Sequence, residues 1–252
     1  MGQGDRACFG KGEIFLGAER GFFDTGRGFR LHRQGLSGGR LVVKPFRWFG
    51  GKGLLINKLL PWVGLGKIYV EPFCGGASLF WNKRPHPVEV LNDLNRDVIN
   101  VFRCLQDGKA FERLAHRLTW TPYSLAEFRR ALEILEGGES DWVARAWAFL
   151  VAYGQGFGGM AFGWGRSLEK SSGPCCWRSR LRFLEQWHER LRGVYLECGD
   201  GLEAIRKWDG EETLFYVDPP YLLDVRQGGG YNYEMTAEQH KALLELLIRV
   251  NG

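Results

Sequence analysis

Four consecutive residues, Asp218-Pro219-Pro220-Tyr221, bring several chemically useful groups to one point of the chain. A carboxylate accepts hydrogen bonds, and tyrosine offers a flat aromatic face. Proline fixes φ and has no N–H, so the carbonyls of Pro219 and Pro220 have largely set directions. Together these groups suit a planar ring that carries an amine, with one proton on the carboxylate, one on a proline carbonyl, and the ring stacked on Tyr221. Two acceptors pull such an amine toward tetrahedral geometry, which frees its lone pair to attack an electrophile.

The same four residues also have a purely structural interpretation. The apolar run from Leu214 to Val217 is predicted as an interior strand, and two prolines would end it. Asp-Pro dipeptides commonly begin turns, so a rigid exit turn would explain the motif without any chemistry. The chemical interpretation therefore requires a binding site for an electrophile elsewhere in the chain.

Residues suited to such a site follow two predicted strands further upstream. Ile68 to Glu71 is the first strand, and Gly75-Gly76 makes a turn where glycine permits positive φ and close approach of a ligand. The second strand, Val88 to Leu91, leads to Asp93, about 20 residues further on, where an acid typically binds ribose hydroxyls. Because no phosphate-binding motif accompanies them, the pattern indicates a nucleoside without a pyrophosphate. S-adenosylmethionine fits, its sulfonium methyl is the electrophile, and Glu71 could face its charged amino or sulfonium group.

Asp93 has a structural alternative as well. Aspartate is a common N-cap residue, and a helix is predicted from about Asn95 to Leu105. On that interpretation Asp93 would serve the start of the helix rather than a ligand.

Alternating strands and helices must position these residues. A helix is predicted from about Ala77 to Lys83, and the strands resume at Tyr195 to Glu197. Strand–helix–strand order predicts an α/β fold with a doubly wound, mostly parallel sheet. A last helix begins at Thr236, since Gln239 completes a capping box, and it is predicted to run to Val250 with a cap at Asn251-Gly252.

The chain of 252 residues, 44% of them hydrophobic, is long enough for one large domain with an insertion. Residues 1–43 are rich in glycine and arginine and are predicted to form a flexible extension. Residues 44–108 and 195–252 carry the strand–helix pattern and are predicted to form one discontinuous domain. Residues 109–194 are mainly helical in pattern and look like an insertion into it.

The net charge of +5 is unevenly distributed, with an excess of positive charge in residues 1–44 and 109–194. The densest basic stretch, residues 166–192, alternates arginines with tryptophan and phenylalanine, which is typical of a surface that binds nucleic acid. The alternative is a solvated helix face whose tryptophans point inward. The candidate contacts with DNA are Arg166, Arg178, Arg180 and Arg182.

Several protein classes are disfavoured by the composition. The chain has no run of about 18 apolar residues and no secretion signal, so neither a membrane span nor export is expected. Its six cysteines form no CxxC pair, which predicts reduced thiols in a cytoplasm rather than disulfides or a metal site.

The chain resembles the Dam-like N6-adenine-specific DNA methyltransferases over roughly residues 44 to 252. The motifs that carry the resemblance occur in the family's order: PFRWFGGK at 45–52, VEPFCGGASLF at 70–80, LNDLNRDVI at 91–99 and FYVDPPY at 215–221. The resemblance implies a Rossmann-like methyltransferase fold, S-adenosyl-L-methionine as the cofactor, and an adenine flipped out of double-stranded DNA. It also implies that residues 109–194 recognise the target sequence, as in the enzymes of restriction-modification systems.

By position, the resemblance implies a catalytic tetrad at Asp218, Pro219, Pro220 and Tyr221. The implied cofactor-binding residues are Trp48, Lys52, Glu71, Phe73, Gly75, Asp93 and Asp218. Lys52 would most simply pair with the carboxylate of the methionine part, while Trp48 could instead be a core residue.

The chain departs from the family in two places. Relatives continue past the last predicted helix into further strands, whereas this sequence stops at Gly252, so the sheet is expected to be incomplete. We therefore expect the 252-residue chain alone to be poorly soluble or partly unfolded, with little activity. The stretch from Ala152 to Gly165 is glycine-rich where many relatives carry a more polar recognition loop, which looks closer to phage-type relatives.

The leading hypothesis is thus methylation of adenine N6 in duplex DNA. Methylation of cytosine N4 poses the same chemical problem and stays an alternative, as does a catalytically inactive DNA-binding fragment. A methyltransferase for amines of small molecules or proteins is a further alternative, although the basic, aromatic insertion argues against it.

Overall fold

The computed structural model describes residues 42–48, 51–53, 55–64, 66–138, 141–166, 172–221 and 233–252. Contacts divide the chain into two units, Met1–Arg40 and Leu41–Gly252. Of the predicted extension, residues 1–41 lie outside the described residues. The N–H of Val42 donates to Asn82 Oδ1 at 2.8 Å, and the carbonyl of Val43 accepts from the Trp187 indole at 2.6 Å. These two residues therefore belong to the folded second unit.

Four strands form one parallel sheet: β1 Ile68–Glu71, β2 Val88–Asn92, β3 Val194–Glu197 and β4 Thr213–Phe215. Their order in the sheet is β3-β2-β1-β4, so the chain moves outward from β1 to β3 and then returns to the other side of β1. The predicted α/β class with a parallel sheet is confirmed. In open α/β sheets, ligands bind outside the carboxyl ends of the strands where the order reverses. Here that point lies between β1 and β4.

The helices precede, separate and follow these strands. They are α1 Ile56–Leu59, α2 Arg96–Gln106, α3 Gly108–Thr119, α4 Leu125–Glu136, α5 Trp142–Gln155, α6 Ser172–Leu181, α7 Leu184–Leu191, α8 Gly201–Trp208 and α9 Ala237–Leu247, with 3-10 turns at Leu60–Trp62 and Phe157–Gly159. The segment predicted to be mainly helical, residues 109–194, consists of α3 to α7. None of the helices in the described ranges has both the length and the apolar character needed to span a bilayer.

Both faces of the sheet are covered by apolar side chains. Because side chains alternate along a strand, Leu214 and Tyr216 face the larger cluster, which includes α2 and α5. Phe215 and Val217 face a smaller cluster built on Leu202, Ile205 and Leu243 of α8 and α9. This arrangement agrees with the predicted doubly wound sheet.

The prediction of a helix from Ala77 to Lys83 is wrong, because the chain forms a series of turns there. The N–H of Phe80 donates to Glu71 Oε1 at 2.9 Å instead of to a carbonyl of its own segment. Ala77 has a φ of +48°, outside the right-handed helical region. A bond to the neighbouring strand thus interrupts the local helical ladder.

The last strand and the last helix differ slightly from the prediction at their ends. β4 ends at Phe215 rather than Val217, although the Tyr216 N–H still donates to the Val70 carbonyl at 2.9 Å. The capping box at the start of α9 is confirmed, with Thr236 and Gln239 bonded reciprocally at 2.8 and 3.2 Å. The helix ends at Leu247 instead of Val250, and the Asn251 N–H donates to Asp209 Oδ1 at 2.8 Å.

Candidate active site

A cleft opens at the carboxyl ends of the strands, at the point where their order reverses. Its empty space is about 1020 Å³, including the part that is open to solvent. The predicted residues that line it are Trp48, Lys52, Glu71, Phe73, Gly75, Asp93, Asp218 and Pro220. Residues from opposite ends of the folded unit therefore meet in one place, as a shared binding site requires.

Asp218 and Lys52 form an ion pair inside this cleft. Lys52 Nζ lies 2.8 Å from Oδ1 and 2.7 Å from Oδ2 of Asp218, and 4.9 Å from the centre of the Tyr221 ring. The hydroxyls of Tyr216 and Tyr221 donate weakly to the same carboxylate at 3.5 and 3.4 Å. Burial lowers the pKa of Lys52, but its hydrogen bonds to Asp218 and Tyr221 outweigh burial and raise that pKa above the ordinary value. Lys52 is therefore a stable cation that occupies both carboxylate oxygens.

α9 holds the loop that carries the two prolines. His240 Nε2 lies 2.9 Å from the carbonyl oxygen of Pro220, so this ring nitrogen is the donor. The bond fixes the direction of the Pro220 carbonyl and engages it within the protein. The Pro219 carbonyl precedes it in the same constrained segment.

Glu71 ends β1 with its carboxyl group buried against the strand. Oε1 accepts from the Tyr69 hydroxyl at 2.7 Å and from the Phe80 N–H at 2.9 Å. Burial raises the pKa of Glu71 to about 7, although these two hydrogen bonds oppose the change. The residue can therefore gain or lose a proton near neutral pH while its position stays fixed.

The indole of Trp48 lies directly against the glycine turn after β1. A Cβ placed on Gly75 would lie 2.5 Å from Trp48 Cδ1, and the φ of Gly75 is +46°, so only glycine fits there without strain. Trp48 also stacks on Phe149, with ring centres 6.0 Å apart. It is thus both a wall of the cleft and a residue packed against the core, which joins the two interpretations drawn from the sequence.

Asp93 supports the same turn from the end of β2. Its Oδ2 accepts from the Gly75 N–H at 2.7 Å, and its Oδ1 accepts from the Asn95 N–H at 2.8 Å. Burial raises the pKa of Asp93, against the effect of these two bonds. The N-cap of α2 is Asn95, whose side chain accepts from Asp97 and Val98. The alternative in which Asp93 is simply the helix cap is therefore not what the structure shows.

Asp200, Ser78 and Lys44 are among the residues at this site that had not been predicted. Asp200 lines the cleft after β3 and caps α8 by accepting from Leu202 and Glu203. The rule that pointed to Asp93, an acid after a strand of the sheet, would have found it. Ser78 also lines the cleft, and its Oγ accepts from Lys44 Nζ at 2.8 Å. A single serine and a single lysine carry no comparable signal in the sequence.

The arginines predicted to contact DNA do not share one environment. Arg166, Arg178 and Arg182 are exposed. Arg180 turns inward, and its buried Nη1 has no hydrogen-bond partner. Burial, together with the nearby charge of Arg47, lowers the pKa of Arg180 to about 10.

The tryptophans of the basic stretch serve the core. Trp177 is buried and donates its indole N–H to the Thr121 carbonyl at 3.2 Å, and Trp187 is buried with its indole bonded to Val43. Stacking of nucleic-acid bases on these two rings is thereby excluded. Contact through the exposed arginines stays a prediction.

Comparisons with known proteins agree with the motifs. Residues 48–130 match the family model of the D12 class N6 adenine-specific DNA methyltransferases. The chain is 29% identical over 211 residues to the DNA N-6-adenine-methyltransferase of Escherichia phage P1, which covers 80% of this chain and 27% of that protein. It is 36% identical over 84 residues to the type II methyltransferase M1.LlaDCHI of Lactococcus lactis subsp. cremoris, which covers 32% of this chain and 28% of that protein. The chain thus spans less than a third of the length of either relative.

Proposed function

We propose that the chain methylates the N6 amine of an adenine flipped out of duplex DNA. The reason is its membership of the D12 class of N6 adenine-specific DNA methyltransferases. The observation that carries this proposal is the meeting of two half-sites in one cleft. The carboxylate of Asp218 follows β4, Glu71 ends β1 and Asp93 follows β2. An amine acceptor and a nucleoside site therefore face each other across the point where the strand order reverses.

S-adenosylmethionine fits the residues of this cleft. Asp93, which follows β2, suits the ribose hydroxyls. The ring of Phe73 lies against Gly201, since a Cβ placed on Gly201 would lie 2.4 Å from Phe73 Cε1. Glu71 suits the positive charges of the amino-acid end. When bound, the cofactor supplies an electrophilic methyl group on its sulfonium sulfur.

The protein's own groups would activate the adenine amine. Asp218 accepts one amine proton, and the carbonyl of Pro219 accepts the other, since His240 engages the Pro220 carbonyl. Tyr221 stacks on the base. When the amine nitrogen bonds to the methyl carbon, the methyl–sulfur bond would break and the sulfur would leave as a neutral thioether. The nitrogen would then be positively charged, and the Asp218 carboxylate would stabilise that charge until the nitrogen releases a proton to solvent. Lys52 contacts both oxygens of this carboxylate, which keep further lone pairs to accept a proton of the amine.

The roles of the chain segments follow from this assignment. Residues 44–108 and 195–252 form the catalytic domain, and residues 109–194 form the insertion that recognises DNA, with Arg166, Arg178 and Arg182 on the contact surface. The relative named a type II methyltransferase supports a place in a restriction-modification system. Free thiols at Cys74, Cys104 and Cys198 support a reducing, cytoplasmic setting.

Incubation of the protein with labelled S-adenosylmethionine and mixed-sequence duplex DNA tests the proposal. We expect label in the DNA, and nucleoside analysis should identify it as N6-methyladenine. Label in N4-methylcytosine would assign the other base, and the absence of label from DNA would overturn the proposal. The variant Asp218→Ala serves as the inactive control, because it removes the side-chain acceptor for the amine proton.

A further inference from the structure

A second lysine, Lys44, lies against the wall of the cleft. Its Nζ donates to Ser78 Oγ at 2.8 Å, and Ser78 lines the cleft. A Cβ placed on Gly51 would lie 2.7 Å from this Nζ, and one placed on Gly76 would lie 3.4 Å from it. The ammonium group therefore sits between two glycines that are themselves part of the cleft wall.

Lys44 has no carboxylate within ion-pair distance among the described residues, and the hydroxyl of Ser78 is a neutral partner. Burial and the nearby charge of Arg180 together lower the pKa of Lys44 to about 8, while the charge of Glu71 opposes them. A partly buried cation with a neutral partner is stabilised when an anion binds beside it. The other lysine of the cleft, Lys52, is in contrast already paired with Asp218.

The proposed cofactor brings the anion that this place lacks. Its amino-acid end carries a carboxylate and an ammonium group on the same carbon atom. Glu71 presents a carboxyl group to the cleft, and its charge acts on Lys44. Glu71 and Ser78, the partner of Lys44, both line this cleft, so an acidic and a basic side chain are available for the two charges of one amino acid.

Resting on the proposed function, we infer that Ser78 binds the carboxylate of the cofactor's amino-acid end and that Lys44, behind it, supplies the compensating positive charge. Because Ser78 Oγ accepts from Lys44, the hydroxyl proton of Ser78 points elsewhere and can be donated to the ligand. Lys44 is then a positioning residue, which acts through Ser78. Lys52 stays assigned to Asp218.

Two ligands that differ only at the amino-acid end test the inference by calorimetry. S-adenosylhomocysteine carries the carboxylate and the amino group, whereas 5′-methylthioadenosine has the same nucleoside and thioether without them. The variants are Lys44→Met, Ser78→Ala and Lys52→Met. Lys58→Met, which removes one charge from an exposed lysine of α1, is the matched control. Thermal melting of each variant establishes that it is folded.

We expect Lys44→Met and Ser78→Ala each to weaken S-adenosylhomocysteine binding about tenfold, the loss typical of a hydrogen bond to a charged group, and methylthioadenosine binding by less than about twofold. Lys52→Met and Lys58→Met should leave the ratio of the two affinities unchanged. If Lys44 has a purely structural role, Lys44→Met should weaken the binding of both ligands equally, and that result would overturn the inference. The inference would also be overturned if the ratio of the two affinities changed only in Lys52→Met.

The inference and the proposed function fail in different ways. If the wild-type protein binds neither ligand, the proposed function falls, and the assignment of Ser78 and Lys44 falls with it. If it binds S-adenosylhomocysteine and the ratio is the same in all variants, only the assignment of Ser78 and Lys44 falls.

Discussion

Lys52 and Asp218, 166 positions apart in the chain, hold each other in the cleft through two hydrogen bonds of 2.8 and 2.7 Å. Their side chains are only 17% and 22% exposed, so water competes little for the carboxylate. In the proposed reaction, the adenine amine would bind to a carboxylate that already holds an ammonium group of the protein itself. A carboxylate that already binds an N–H donor in this geometry is suited to bind another.

Asp218→Ala should reduce methyl transfer to below about a tenth of the wild-type rate, because it removes a directed acceptor from the reacting nitrogen. DNA binding, measured by gel shift, should change little, since the residue lies in the cleft and contacts no phosphate. Transfer of labelled methyl groups is the measurement. If a folded Asp218→Ala variant has turnover close to that of the wild type, residues 218–221 serve only as a structural turn after the strand.

Asp93→Ala should weaken binding of S-adenosylhomocysteine by about 1.5–3 kcal/mol, the range for a lost hydrogen bond to a charged group. Calorimetry measures the affinity. Asp93→Asn is the matched control, because its amide oxygen can still accept from the Gly75 N–H and preserve the turn. An unchanged affinity in folded Asp93→Ala would leave Asp93 with a role in the turn alone.

Glu71 should make the protein less stable as the pH rises toward neutral. Its folded-state pKa is raised from 4.5 to about 7, so the folded state holds the proton more tightly than the unfolded state. This contribution is complete below about pH 4.5 and is lost as the pH rises through about 7, a change of about 3 kcal/mol. Denaturant unfolding at several pH values measures it.

Glu71→Gln is the variant that isolates this effect, since glutamine stays neutral and can still accept from Tyr69 and Phe80. The wild-type free energy of unfolding should fall relative to that of Glu71→Gln between pH 5 and pH 7. Glu112→Gln, at an exposed position of α3, should run parallel to the wild type. A constant difference between wild type and Glu71→Gln would show that the carboxyl group is already ionised at pH 5.

Binding to DNA should weaken steeply with salt, because arginines displace counterions from phosphates. Reversing the charges of Arg178 and Arg182 together should reduce the slope of log K against log salt by about 2. The control Arg84→Glu with Lys58→Glu changes the net charge equally at exposed positions outside residues 109–194. An unaltered slope in the first variant would place the DNA on another surface.

The strands and the acids that follow them could be predicted from the sequence because their signals are local. The apolar runs and the glycine and proline breaks placed β1 at Ile68–Glu71 and β2 to within one residue. An acid after such a strand, Asp93 or Asp218, then falls at the cleft by the geometry of a parallel sheet. The capping box at Thr236 is equally local, and it was correct.

The features that could not be predicted depend on contacts between distant residues. The turns at 77–83 replace a helix because Phe80 bonds to a carboxylate of β1, and the pairing of Lys52 with Asp218 joins opposite ends of the folded unit. The burial of Arg180 did have a usable signal. Arg178 and Arg180 are two residues apart on α6, which places their side chains on opposite sides of the helix.

The order of strands in the sheet has a consequence for how the protein becomes active during folding. β1 pairs with β2, which follows closely in the chain, but it also pairs with β4, where Ile68 meets Thr213 after all the helices of the insertion. Closing so long a loop costs entropy before its contacts form, and contacts of high sequence separation form slowly. The half of the cleft with Glu71 and Asp93 therefore assembles early, and Asp218 arrives last. Until β4 has paired with β1, we expect the cleft to have Glu71 and Asp93 in place without the carboxylate of Asp218.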